Sequence, residues 1–218
     1  MPWFRRETAF PGARERRLRL AAAGSLVAVG GFAPIPLGYL LAGPGRGSET
    51  VVLAILLGPA LLAIAVGLAT QAFGFLAIPG DKMVSRATAG AMIGDSLALV
   101  VLGFVLLVDR TPCSLGSYCS GQMLGSFGRL AIYLWFPILG IGYLAAGALK
   151  LAESAARRNP RFVGGTFLLT VDGLVLLAGL ALPLLFPLGW GLGLAVNAVI
   201  AAAFLEEAKG SFAGARSS

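Results

Sequence analysis

The chain has 218 residues, of which 57% are hydrophobic and 12% charged, with a mean hydropathy of +0.86. That leaves too little polar surface to cover a soluble globule, so the composition describes an all-α polytopic membrane protein. The net charge of +7 lies in the gaps between apolar runs, where it encodes topology rather than nucleic-acid binding, and the absence of histidine removes the usual haem and metal ligand and the commonest general base. No cofactor, no metal site and no catalytic set is expected.

Residues 1–19 hold Arg5, Arg6, Arg14, Arg16, Arg17 and Arg19 against Glu7 and Glu15, with Trp3, Phe4 and Phe10 between them. Such a segment suits an anionic cytoplasmic leaflet, with Arg14, Arg16, Arg17 and Arg19 as candidates for lipid headgroup contact, at about 1 kcal/mol per basic residue. Pro11-Gly12 interrupts any single amphipathic helix, which favours a plain topology signal. The apolar run that follows is too long for a cleaved secretory signal and reads as an uncleaved anchor.

Apolar runs then predict six spans over residues 20–207. The first covers about Leu20 to Ala42, loosened at its outer end by Pro34 and Pro36. The second covers Val51 to Ile78, with room to tilt or to kink at Pro59, and carries Gln71 toward its inner end. The third covers Ala87 to Val108 and includes a Gly90-xxx-Gly94 step and one carboxylate, Asp95. The fourth covers Leu130 to Leu149, with Tyr133, Trp135 and Pro137 placed near the outer interface. The last apolar stretch is too long for one crossing. Pro183, Pro187 and Gly189 split it into a fifth span, Phe162 to Leu185, and a sixth, Leu188 to Leu205, carrying Asp172 and Asn197 respectively. Residues 208–218 form a short tail.

An even number of spans puts both termini on one side of the membrane. That side receives 14 of the 17 basic residues, so the termini are expected in the cytoplasm and the cell membrane is the expected location. The loop at 109–129 is then external and carries both cysteines, Cys113 and Cys119. Their spacing in a Ser- and Gly-rich loop on the oxidising side predicts a disulfide that shapes the loop.

Asp95 and Asp172 are the ionisable groups inside the spans. An aspartate at mid-membrane costs about 2.5 to 3.5 kcal/mol on insertion scales, so it turns toward a bundle interior, a partner or a water-filled path. Counted from the nearest inner cation, Asp95 is nine residues beyond Arg86 and Asp172 eleven beyond Arg161, so both lie near the same depth. Asn197, Gln71 and Thr170 serve either as path residues or as helix-to-helix glue. The steps Gly90-xxx-Gly94, Ala63-xxx-Gly67 and Gly189-xxx-Gly193 read as internal packing faces, which a larger assembly could share. Gly38-Tyr-Leu-Leu-Ala-Gly43 resembles Gly142-Tyr-Leu-Ala-Ala-Gly147, and Asp95-Ser-Leu-Ala-Leu resembles Asp172-Gly-Leu-Val-Leu. These pairings imply incompatible duplications, and no repeat is assigned.

Three functions fit these features. A transporter or channel accounts for six spans and mid-depth carboxylates. A non-catalytic subunit or scaffold, associated with other membrane subunits or with copies of itself, accounts for the small-residue faces and the external loop. An intramembrane aspartyl enzyme would use the aspartate pair to activate water. Met92-Ile93 stands before Gly94-Asp95 where the Gly-x-Gly-Asp motif of such enzymes would be, and Val171 stands where their second motif has tyrosine.

Overall fold

Proline, glycine and capping side chains cut the apolar chain into long helices. The structure is a computed structural model, and it describes residues 12–34, 48–111, 123–154, 159–182 and 185–215. The helices are α1 (Ala13–Phe32), α2 (Ser48–Ala77), α3 (Lys82–Val108), α4 (Ser126–Ser154), α5 (Pro160–Ala178) and α6 (Phe186–Ala215). Among the described residues, α2 to α6 each contain a segment long and apolar enough to cross a membrane. In α1 the charges of Arg14, Glu15, Arg16, Arg17 and Arg19 occupy the first turns, and its apolar sequence continues beyond the described residues. The chain is a multi-pass, membrane-embedded helical protein.

Local chemistry explains where the helices begin and end. α1 starts immediately after Gly12, whose φ of 104° lies in the left-handed region that glycine tolerates. The basic residues from Arg14 to Arg19 therefore ride on the first turns of the first helix, rather than on a segment separate from it. Residues 1–11 and Pro36 lie outside the described residues.

Pro59 and Pro137 are accommodated inside α2 and α4. Asp81 caps α3, accepting from the amides of Met83 at 2.7 Å and Val84 at 3.3 Å. Asn159 caps α5 in the same way, with Pro160 following at the first helical position, where its missing N–H is harmless.

Two of the boundaries that differ from the hydropathy reading have a local cause. The fifth helix ends at Ala178 rather than Leu185, because Gly179 begins a turn in which the amides of Leu180 and Leu182 bond back to Leu177 and Ala178. The sixth helix continues past Leu205 to Ala215, so part of the expected tail is helical. There Glu206 pairs with Arg161 at 2.5 Å and Glu207 with Arg14 at 3.3 Å, which lets charged residues follow the apolar run without ending the helix.

Each helix packs on its neighbour in sequence, and α6 returns to α1, closing a ring of six. The outward surface is apolar on every helix: Leu26 on α1, Phe73 on α2, Leu97 and Phe104 on α3, Ile141 on α4, Phe167 on α5 and Leu205 on α6 are all exposed, as lipid requires. Close helix approach relies on glycine. A Cβ on Gly173 of α5 would lie 2.8 Å from the Gly140 carbonyl of α4, and one on Gly67 of α2 would lie 2.8 Å from the Gly24 carbonyl of α1.

Gly67, Gly189 and Gly193 thus face neighbouring helices, as expected of internal packing. Gly90 and Gly94 do not: both are exposed on the outer face of α3, where an added Cβ would meet nothing within 4 Å. Their spacing matches a packing motif, but α3 turns that face away from both α2 and α4.

Side chains tie the helix ends. At the end holding the N-terminus of α1 and the C-terminus of α6, Arg14 donates to the Ala77 carbonyl of α2 at 3.1 Å as well as to Glu207. Lys150 of α4, fully buried, donates to Ser85 of α3 at 2.7 Å and to Glu153 at 2.6 Å, and Glu153 accepts from the Asp81 amide. At the opposite end, β1 (Arg110–Thr111) pairs antiparallel with β2 (Met123–Leu124), and Asp109 accepts from the Gly128 amide at 2.7 Å, capping α4. This ladder flanks the cysteine loop; Cys113 and Cys119 lie outside the described residues.

Candidate functional site

Polar side chains from helices that are not ring neighbours meet in the interior. Gln71 of α2 donates through Nε2 to Asn197 Oδ1 of α6 at 2.6 Å. Asn197 Nδ2 donates to the Tyr143 hydroxyl of α4 at 2.9 Å and to the Gly193 carbonyl at 2.7 Å. One chain of hydrogen bonds therefore crosses the interior and links α2, α6 and α4, and all three side chains are fully or almost fully buried.

The two aspartates approach the same layer from the intervening helices. Asp95 of α3 is 6% exposed and Asp172 of α5 is 0% exposed. Asp95 lies against Gly142, and Gly173, the residue after Asp172, packs against Gly140 and Leu144, so both acids border the turn of α4 that carries Tyr143. Asp95 sits against Gly142, where a Cβ would collide with its carboxylate, so the absent side chain of α4 makes room for the acid of α3. The next residue along each helix faces backward in the ring. Ser96 donates to the Ala65 carbonyl of α2 at 2.7 Å, and Gly173 packs on α4.

Counting from the charged inner ends gives a consistent depth. Asp95 lies nine residues from Arg86, Tyr143 ten from Glu153, Asn197 ten from Glu207 and Asp172 eleven from Arg161, or about 14 to 16 Å at helical rise. This is close to the middle of a hydrocarbon core of roughly 30 Å.

The layer's hydrogen-bonding capacity is left unfilled on one side. Asp95 Oδ2, both carboxylate oxygens of Asp172 and Gln71 Oε1 are buried without a hydrogen-bond partner among the described residues. In a packed interior a structural polar group normally finds a partner, so four unfilled acceptors in one layer mark it out from ordinary helix-to-helix glue. Thr170, also read as possible glue, bonds back to the Thr166 carbonyl of its own helix at 2.9 Å and packs against Gly147.

Aromatic contacts flank the layer on both sides. Toward the outer end, Trp190 of α6 stacks edge-on against Phe32 of α1 at 5.0 Å and Trp135 of α4 at 4.9 Å, and its indole N–H donates to the Phe32 carbonyl. Toward the inner end, Phe75 of α2 meets Phe204 of α6 at 5.3 Å and Phe162 of α5 at 5.9 Å. Trp135 is therefore not an interfacial anchor as its position suggested. It is 1% exposed, because its side of α4 faces the ring interior, whereas Tyr133 does point outward at 69%.

Sequence reasoning missed three residues of this assembly. Tyr143 and Gly142 stood in view within Gly142-Tyr-Leu-Ala-Ala-Gly147, quoted there only for its resemblance to an earlier segment. Lys150, at the end of the fourth apolar run, is buried in the clasp between α3 and α4. Of the candidate lipid-contacting arginines, Arg16, Arg17 and Arg19 are exposed, Arg19 pairing with Glu15 at 2.5 Å, while Arg14 is engaged with α2 and α6. Comparison with family models, with curated proteins and with solved structures found no match to this chain, so the interpretation of the site rests on its own geometry.

Proposed function

We propose that the protein is a small membrane transporter whose translocation path passes through the layer formed by Asp95, Asp172, Gln71, Asn197 and Tyr143. The observation that carries this reading is the convergence of both mid-membrane carboxylates, with unfilled acceptors, on one buried layer flanked on either side by aromatic side chains. Intramembrane acids are costly, and they persist where they serve a path or a partner. We take these aromatic groups as the barriers of an occluded state, so that access to either side requires parting one of them. In this reading Trp135, Trp190 and Phe32 form the outer barrier and Phe75, Phe162 and Phe204 the inner one.

Orientation is part of the proposal. The end that carries Arg14, Lys82, Arg86, Lys150, Arg161 and Lys209 faces the cytoplasm, and the ladder end with the cysteine loop faces outward, in keeping with the positive-inside rule. The cell membrane is the proposed location. A second reading, a subunit of a larger membrane assembly or of a homo-oligomer, is favoured by one observation: the outward Gly90 and Gly94 face of α3.

Reconstitution separates the two. Liposomes holding the purified protein are loaded with protons, alkali ions or small organic cations, and flux is compared for wild type, Asp95→Asn and Asp172→Asn. Flux above protein-free liposomes that falls sharply in both variants supports transport. Wild-type liposomes no more permeable than empty ones, together with a stable partner on purification, would establish the subunit reading instead.

A further inference from the structure

The unfilled groups of the central layer are all acceptors, and that gives the site a chemical preference. Asn197 spends both amide hydrogens on Tyr143 and Gly193, and Gln71 directs its amide nitrogen at Asn197, which turns Gln71 Oε1 away from that bond. Because the Tyr143 oxygen accepts from Asn197, its own hydrogen points elsewhere. What remains open is Asp95 Oδ2, Asp172 Oδ1 and Oδ2, and Gln71 Oε1, against that single hydroxyl hydrogen. The basic side chains described lie toward the helix ends. The one nearest Tyr143 along α4, Lys150, is already bonded to Ser85 and Glu153. A ligand that completes this layer must bring positive charge or hydrogen-bond donors, and an anion is disfavoured.

The surroundings narrow the class. The acceptors are buried among packed side chains, with edge-to-face aromatic contacts further along the helices on either side. A divalent ion such as magnesium holds several waters of its shell, for which a layer of packed side chains is unsuited. Nor do the described residues contain a cluster of three or more His, Cys, Asp or Glu.

We infer that Asp95 and Asp172 together bind one small monovalent cation, a proton or an alkali-metal ion, with Gln71 Oε1 as a neutral oxygen ligand and Asn197 as the residue that fixes the orientation of Gln71. This inference rests on the transport reading of the same layer and names the ion it handles. Asn197 touches no cation itself; it is a positioning residue. Loss of such an outer-shell partner lowers cation affinity by about 10- to 100-fold.

The test is cation binding, measured apart from flux. The full chain, labelled with ¹³C-aspartate, is placed in lipid nanodiscs, and infrared difference spectra of the carboxyl bands are recorded in two titrations. Sodium chloride replaces choline chloride at fixed pH in one; pH is varied in choline alone in the other. A saturable band change that is removed by Asp172→Asn and by Asp95→Asn supports the site, and the titration that produces it identifies the ion as alkali metal or proton. In the alkali case Asn197→Ala shifts the midpoint to a sodium concentration about 10- to 100-fold higher, while Asn197→Gln, which keeps an amide, restores part of it. Should a variant fail to fold, wild type is compared with Asp81→Asn/Asp109→Asn, which leaves only the two layer acids labelled: no band change in either titration of that protein overturns the inference. Binding without flux in liposomes would sink transport and leave the cation site standing. Asp-dependent flux of an organic cation without any band change would sink the cation assignment and leave transport standing.

Discussion

Replacing Asp172 with valine should stabilise the protein while abolishing its function, and the sign of that change tests whether the acid is structural. Asp172 is completely buried, and neither carboxylate oxygen has a hydrogen-bond partner among the described residues. On insertion scales a mid-membrane aspartate costs about 2.5 to 3.5 kcal/mol where valine is mildly favourable, so removal releases roughly 3 kcal/mol before packing is considered. Valine is somewhat larger, and the helix interface there is tight: a Cβ on the adjacent Gly173 would lie 2.8 Å from the Gly140 carbonyl. Overpacking of this kind costs about 1 to 3 kcal/mol, which leaves a net gain of about 0 to 2 kcal/mol. The control is Asn197→Leu, which breaks the bonds to Gln71 and Tyr143. At about 0.6 kcal/mol per interhelical hydrogen bond in a membrane, plus the cost of leaving partners unpaired, it destabilises by about 1 to 3 kcal/mol. Reversible unfolding in mixed detergent and dodecyl sulfate micelles measures both. If Asp172→Val destabilised the protein as much as Asn197→Leu does, the aspartate would be holding the bundle together and the argument from unfilled acceptors would fail.

Three further outcomes follow from the geometry. Gly173→Ala should cost about 1 to 3 kcal/mol in the same assay, since its methyl meets backbone, whereas Gly90→Ala, facing open space, should be neutral or slightly stabilising; equal effects would refute the close approach of α4 and α5. In a background lacking the native cysteines, Cys introduced at Met83 should resist impermeant thiol reagents in intact cells and Cys introduced at Ser126 should react. The reverse pattern inverts the topology. Met83 is chosen because it is 82% exposed, unlike its neighbour Ser85, which is buried against Lys150. Finally, intact mass under non-reducing conditions should be two hydrogens below that of the reduced protein if Cys113 and Cys119 are joined; alkylation of both without reductant excludes the bond.

Much of the fold was legible because membrane helices announce themselves by run length. The start of the fifth helix, expected at Phe162 and found at Pro160, and the end of the third, at Val108, could be placed to within a few residues from hydropathy alone. What hydropathy cannot see is where an amphiphilic end stops. Asp81 and Asn159 extend α3 and α5 inward by capping, and Arg14 and Arg161 let α6 continue to Ala215 by pairing with Glu207 and Glu206. These are interactions between chemical groups close in space but, in the case of Arg14 and Glu207, nearly the whole chain apart in sequence.

The candidate site divides along the same line. Asp95, Asp172, Gln71 and Asn197 were conspicuous, since a polar group inside an apolar run is costly wherever it points. Their convergence was not, because a helix of this composition presents little contrast between its faces: the outer face of α3 is as rich in Gly, Leu and Val as the inner one. The rotation that carries Asp95 inward and Gly90 and Gly94 outward places Asp95 against Gly142, and Gly142 is informative only beside its partner. Trp135 shows the reverse case. Its rank near the end of a span matched an interfacial anchor, yet the ring closes over it through Trp190. An aromatic residue two positions away, Tyr133, takes the outward place instead. The neighbouring identities, not the position along the span, decide which ring meets lipid and which flanks the polar layer.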